Sequence, residues 1–375
     1  MSVLHVLGAR PNFVKAAPVV RALEGLGVPQ GIVHTGQHYD ALMSDVFFAD
    51  LGLPSPVANL GVGSGSHGKQ TAALLIGLEE LFEELRPSLV VVYGDVNSTL
   101  AAILVCAKLG IPSAHVEAGL RSFDRSMPEE VNRIVTDSLS DLLFTTSPEA
   151  LSYLAREGVA AEKCHFVGNP MIDSLFSALP SLDPAPVVSR LGLPDRYAVA
   201  TLHRPANVDT PEAARELVDA VIAVSEQIPI VVPIHPRGRT RLAEAGLVDS
   251  GGLRIVDPLG YVDFLSLVRG ASLVVTDSGG VQEETTMLGV PCLTVRPNTE
   301  RPITVTHGTN RLVTPASLPA AASKALADGA STPSGDLPPL WDGAAGPRIA
   351  RVIASWLKGD NLSPASRAVS PEKPL

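Results

Sequence analysis

The chain has 375 residues, 45% hydrophobic and 18% charged, which describes a globular protein with ample core and a length that suits two domains. Its 29 Lys and Arg against 39 Asp and Glu give a formal net charge of −10. That balance lacks the basic footprint of a general nucleic-acid or anionic-membrane binder, although a local basic pocket would suffice for a small anionic ligand.

Short β-branched runs alternate with helical segments from the start. SVLHVLG, GIVHT, LVVVYGD, SAHVEAG, DLLFTT and CHFVG read as strands, and residues 67–86 and 98–110 carry apolar residues at helical spacing. The pattern restarts with YAVATLH, IVVPIH, LRIVD, SLVVTD and PCLTV. Continuous apolar strands separated by helices predict parallel sheets covered on both faces, hence α/β class with two doubly wound, Rossmann-like units. We place the first unit at 1–176, a Pro- and Ser-rich linker at 177–195, the second unit at 196–358 and a tail at 359–375. The last helix of the second unit is a candidate to pack back on the first.

Cys106, Cys164 and Cys292 form an odd, sparse set in apolar surroundings, so buried free thiols are expected rather than disulfides or a zinc site. The sequence opens on an apolar strand without a signal-like segment, and no apolar run approaches the ~18 residues that cross a bilayer. A soluble cytoplasmic protein is the expectation.

In open α/β sheets, ligands bind beyond the carboxyl ends of the strands. Those ends here are Arg10, Gln37 and His38, Asp95, Glu117, His203, His235, Asp277 to Gly280, and Arg296, a set dominated by groups that titrate or bind anions. GARPNFVKAAP puts Arg10 and Lys15 around a helix start, which favours a phosphate, yet it is no dinucleotide fingerprint. In VYGDVNSTLAA, Asp95 reads either as a helix cap or as a chemical group, since Asn97, Ser98 and Thr99 can cap without it.

HVEAGLRSFDRSMPEEVNR ends an apolar strand on Glu117 and then crowds Asp124, Glu129 and Glu130 among Arg121, Arg125 and Arg133. ATLHRPANVD places His203 and Arg204 at a strand mouth, where His203 reads as structural or catalytic. On pattern alone Phe264 in YVDFL is core packing. TDSGGVQEETTMLGVP is the strongest local signal: Ser278, Gly279 and Gly280 permit close backbone approach to a diphosphate. A helix with Glu283 and Glu284 in its first turn follows, and a Glu one turn further in can take the two hydroxyls of a ribose.

Taken in order, GARPNFVKAAP, GQHYD, YGDVNSTLA, HVEAGLRSFDRSMPEEVNR, VGNPMID, HRPAN, DSGGVQEE and TERP resemble the non-hydrolysing UDP-N-acetylglucosamine 2-epimerase family, from Arg10 to about Arg311. The resemblance implies a GT-B fold, two domains facing across a cleft that closes over UDP, and a homodimer. It places Asp95, Glu117, Glu129 and His203 as acid/base groups with Arg133 beside them. Arg10, Ser278, Gly279, Gly280, Glu284 and Arg301 match nucleotide contacts, Lys15 lies with Arg10, and Phe264 falls against the uracil. Pro205 and Ala206 before Asn207, and Ile303 after ERP, depart from the family's HR-x-E-N and ERPE. QHYDALMS carries Tyr39 and Ser44 where substrate-activated bacterial members have Arg and Gln, so weakened activation is expected.

The chemistry that the resemblance implies asks for such residues. The C2 hydrogen of a 2-acetamido sugar is not acidic, but loosening of the C1–O bond to UDP acidifies it. Elimination to a 2-acetamidoglucal and re-addition of UDP then need acid/base groups on two faces and fixed cations on the leaving diphosphate. No metal or redox cofactor is required.

Overall fold

Strand β1 (Val3–Leu7) is buried at every position, as a strand covered by helices on both faces must be. The computed structural model describes residues 2–36, 48, 50–234, 236–329 and 337–359. Around β1 lie β2 (Gln30–His34), β3 (Ala58–Asn59), β4 (Leu89–Tyr93), β5 (Ser113–Ala118), β6 (Leu142–Thr145) and β7 (Cys164–Phe166). Their order is β3-β2-β1-β4-β5-β6-β7, and each neighbouring pair is parallel.

A second parallel sheet comprises β8 (Ala198–Thr201), β9 (Ile230–Pro233), β10 (Leu253–Val256), β11 (Leu273–Thr276), β12 (Cys292–Val295) and β13 (Asn310–Val313). Its order is β10-β9-β8-β11-β12-β13. Ala198, Ala200, Ile230, Val232, Leu273 and Val275 pack into a core on one face, and Val199, Val231 and Val274 into another on the opposite face. This is the period-two alternation of a strand buried on both sides.

In both sheets the strand order reverses beside the first strand, between β1 and β4 and between β8 and β11. A parallel sheet opens a crevice at such a switch point, outside the carboxyl ends of the strands. Arg10 and Asp95 follow β1 and β4; His203 and Asp277 follow β8 and β11.

The two compact units are Met1–Ser174 with Pro339–Leu375, and Leu175–Pro338. The stretch 177–195 is therefore more than a linker. It holds the helix Pro184–Leu191, whose Val187 is buried in the second unit's core, and the Arg269 guanidinium donates to the Leu182 carbonyl at 3.0 Å. Alternating Pro and Ser hid a helix that starts at Pro184 behind the capping carboxylate of Asp183.

The last helix, Ala345–Leu357, lies against the first, Arg10–Gly25, in the first unit. A Cβ on Gly346 would sit 2.6 Å from the Pro18 carbonyl oxygen, so only glycine allows this approach. Asp173 accepts from the Ala345 and Gly346 amides at 3.1 and 2.7 Å, and the Trp341 indole donates to the Thr146 carbonyl at 2.9 Å. The three cysteines are free and buried, and burial pushes the Cys106 thiol up to about 12. Among the described residues, no helix is long and apolar enough to cross a membrane.

Candidate active site

In the first unit, the carboxyl ends of β4 and β5 form a buried ionic cluster. Val116 and Ala118 of β5 pair with Phe144 and Thr145, successive residues of β6, so Glu117 is the extra residue of a β-bulge. Its φ is +78°, left-handed and unusual for a side chain other than glycine. Bulges re-aim side chains, and strain of this kind persists only where the surroundings over-determine it. The re-aimed carboxylate is buried and ion-paired with Lys15, itself buried on the first helix.

Gly94 makes that pair possible. Its φ is +65°, and a Cβ there would lie 3.0 Å from Lys15 Nζ and 3.1 Å from Glu117 Oε2. Asp95, the next residue, ion-pairs with the fully buried Arg133. Asn132, from the same helix Pro128–Leu139, donates to the Asp95 carbonyl at 2.8 Å.

The adjacent glutamates of that helix separate by environment. Glu130 is buried; it accepts from the Ser122 and Phe123 amides, each at 2.9 Å, and pairs with Arg133 at 2.7 Å. Burial alone would raise its carboxyl, but these partners hold it below the usual carboxylate range. Glu129 is half-buried, and its carboxylate makes no hydrogen bond or ion pair among the described residues. Glu130 thus builds the loop, whereas the Glu129 side chain stays partly open to solvent. Arg10 is half-buried at the first position of the helix that follows β1.

In the second unit, Asp277 is fully buried at the end of β11. It accepts from the His203 amide at 3.0 Å, the Arg204 amide at 2.9 Å and His203 Nδ1 at 2.9 Å. Burial would raise this carboxyl, yet the His203 hydrogen bond and charge, with the backbone donors, keep it low. The His203 ring itself is 63% exposed and open to a ligand.

Ser278 caps the helix Gly279–Leu288 in position only, because its side chain makes no capping bond. Beside Gly279 stands Glu300, paired with Arg296 at 2.6 Å, with Arg301, and with Arg204 at 3.6 Å. Arg301 Nε lies 2.9 Å from Glu283. Uncapped helix N–H groups next to clustered guanidinium groups form an anion-binding corner.

The helix begins at Gly279, so Glu283 and Glu284 are its fifth and sixth residues and not first-turn acids. Both are buried inside the unit. Burial first, and then repulsion from Glu283, push Glu284 up to about 8 from its ordinary 4.5. The nearby Tyr261 hydroxyl, without a well-formed hydrogen bond among the described residues, offsets only part of this.

Between about pH 5 and 8, folded Glu284 holds a proton that the unfolded chain has released. The stability it contributes is complete below the unfolded value and is lost as pH rises through about 8. Denaturant unfolding across that range should show a falling stability with a slope of up to about 1.4 kcal/mol per pH unit from this group. Glu284→Gln should flatten the fall; an unchanged slope would contradict it.

Phe264 is half-buried on the helix Tyr261–Arg269 and packs against the core that contains Tyr197 and Val199. The first unit thus gathers Lys15, Asp95, Glu117, Arg133 and, on the same helix, Glu129. The second gathers His203, Ser278, Gly279, Gly280, Glu284 and Arg301. Glu130, Asn132 and Glu300 escaped sequence reasoning, since nothing in PEEVNR distinguishes its two glutamates. Gln37, His38, His235 and QHYDALMS lie outside the described residues. Among those described, no group of three or more His, Cys, Asp or Glu could hold a metal ion.

The sequence profile of the UDP-N-acetylglucosamine 2-epimerase family matches residues 22–354. The UDP-N-acetylglucosamine 2-epimerase of Methanocaldococcus jannaschii is 44% identical over 323 residues, covering 84% of this chain and 88% of that protein. The UDP-2,3-diacetamido-2,3-dideoxy-D-glucuronate 2-epimerase of Pseudomonas aeruginosa is 43% identical over 318 residues, covering 84% and 88%. A crystal structure of the M. jannaschii enzyme in complex with UDP-GlcNAc and UDP superimposes with a TM-score of 0.88 at 41% identity, covering 94% of this chain and 99% of that one. That of the Neisseria meningitidis enzyme bound to UDP-GlcNAc gives 0.84 at 25%, covering 95% and 100%. Two parallel α/β sheets, matched motifs and a profile spanning both units make this chain a member of the UDP-N-acetylglucosamine 2-epimerase family, an isomerase of GT-B type.

Proposed function

We propose that the chain interconverts UDP-N-acetylglucosamine and UDP-N-acetylmannosamine without net hydrolysis. The C1–O bond to UDP breaks as a carboxylate takes the C2 proton, leaving a C1=C2 double bond in a 2-acetamidoglucal. Protonation of C2 from the other face and return of the UDP oxygen to C1 give the epimer. The observation that carries this reading is Glu117 on its strained bulge, paired with Lys15 against Gly94, the residue just before Asp95 and its Arg133 partner. Asp95, Glu117 and Glu129 supply proton transfer, and Arg133 orients Asp95. Lys15 holds Glu117, which moves it from the phosphate role that its nearness to Arg10 in sequence invited.

His203, Arg10, Arg301, the Ser278 hydroxyl and the amides of Gly279 and Gly280 stabilise the departing diphosphate. Glu284 takes the ribose hydroxyls and Phe264 the uracil. The same family membership supports a soluble homodimer as the working unit. Incubation with UDP-N-acetylglucosamine in D2O, followed by NMR, tests the reading. Epimerisation with deuterium at C2 and no accumulating UDP is expected; accumulating UDP with free N-acetylmannosamine would indicate a hydrolysing enzyme instead.

A second reading is a more decorated substrate, a UDP-2,3-diacetamido uronate. The near-equal identity to the Pseudomonas enzyme favours it, as do Ala206 and Ile303 at positions where the family carries carboxylates. The ratio of kcat/KM for the two substrates decides between them.

A further inference from the structure

We infer that His115 and Asp137 are positioning residues that lock the segments carrying Asp95 and Glu117 into a single geometry. His115 lies on β5, two residues before Glu117, and is completely buried. Its Nε2 is 2.8 Å from the carbonyl oxygen of Gly94, and its Nδ1 is 2.6 Å from Asp137 Oδ1. A carbonyl oxygen only accepts, so Nε2 carries a hydrogen.

The other oxygen of Asp137 accepts from the Gly119 amide at 3.0 Å and pairs with Arg121 Nη1 at 2.7 Å. Arg121 is anchored in turn by Glu157, with nitrogens 2.8 and 2.6 Å from its carboxylate. Burial would raise the Asp137 carboxyl, but His115 and Arg121 beside it hold it below the usual carboxylate range. Both ring nitrogens thus meet an acceptor, one of them the Asp137 carboxylate, in a place shut away from water.

What this pair touches gives it its role. Gly94 immediately precedes Asp95, and Gly119 follows Glu117 by two residues. One buried carboxylate therefore reaches the β4 end through the His115 ring and the β5 end directly. Asp137 sits on the helix that also presents Glu129, Asn132 and Arg133. Glu117 needs such restraint, since a left-handed backbone at a side-chain-bearing residue costs on the order of 1–3 kcal/mol. Gly119 is wedged too: a Cβ there would lie 2.8 Å from the Ala150 carbonyl oxygen.

This inference rests on the acid/base reading of Asp95 and Glu117. The test is Asp137→Asn, which keeps the shape and removes the charge that faces the His115 ring, Arg121 and the Gly119 amide. We expect kcat to fall about 100-fold with KM and the Kd for UDP within about twofold of wild type. UDP and 2-acetamidoglucal should also appear free in solution, because a misaligned acid returns the proton more slowly than the intermediate escapes. A folded variant with kcat within about threefold of wild type overturns the proposal. So does a matching loss of UDP affinity, which would mark a general structural role.

Should the variant not fold, wild-type protein labelled with 15N-histidine supplies the answer. One imidazole must keep a slowly exchanging hydrogen on Nε2, the nitrogen that faces the Gly94 carbonyl, and the absence of any such ring overturns the assignment. Glu117→Gln is the control on the underlying reading. Turnover retained there sinks the acid/base scheme, whereas turnover lost there but kept in Asp137→Asn sinks only the positioning role.

Discussion

Replacing Glu117 by glutamine is expected to lower turnover by about three orders of magnitude while leaving affinity for UDP close to wild type. A positioned general acid or base contributes roughly 10²–10⁴-fold, and glutamine keeps the shape but cannot exchange the proton. The change has a second consequence, because Lys15 is buried and ion-paired with Glu117. Removing one partner of a buried pair leaves an uncompensated charge, a loss of about 3 kcal/mol. The two effects separate in the double variant Lys15→Met with Glu117→Gln, which should regain most of the thermal stability and none of the turnover. Turnover recovering with stability would mean that Glu117 serves the fold alone.

Gly279→Ala should abolish useful nucleotide affinity, raising the Kd for UDP about 100-fold in calorimetric titration. The added methyl would meet the Arg301 guanidinium and stand 2.9 Å from Glu300 Oε1. Both groups belong to the network of Arg204, Arg296 and Arg301 around one buried carboxylate, so neither can give way alone. Overpacking of this kind costs about 1–3 kcal/mol before the lost approach of a phosphate to the helix N–H groups is counted. Deuterium exchange at saturating substrate should survive better than binding, since the groups we propose for proton transfer lie on or follow strands of the other sheet. Wild-type affinity in this variant would remove the helix start from the nucleotide site.

Sequence patterning made the strands of both sheets legible because continuous apolar runs leave little else to form. It missed β3, with two residues, and β13, whose Arg311 and Leu312 are exposed. A strand that buries so little has no pattern to read. The helix after β11 was misplaced because two glycines read as loop, although they are its first residues.

Lys15 was grouped with Arg10 by nearness in sequence. Five residues along a helix turn a side chain well over a third of the way round, and Lys15 therefore points to Glu117 instead. His115 and Asp137 are 22 residues apart, and no local spacing announces a pair made by tertiary packing.

The return of the final helix to the first sheet carries a practical corollary for anyone dissecting the protein. The second unit is an insertion within the first, entered after Ser174 and left before Pro339. Truncation at Ser174 would strip the Arg10–Gly25 helix of its cover and leave the Asp173 carboxylate without the amides it caps. A fragment meant to preserve the first unit should instead join 2–174 to 339–359, so that the final helix keeps its place against the first.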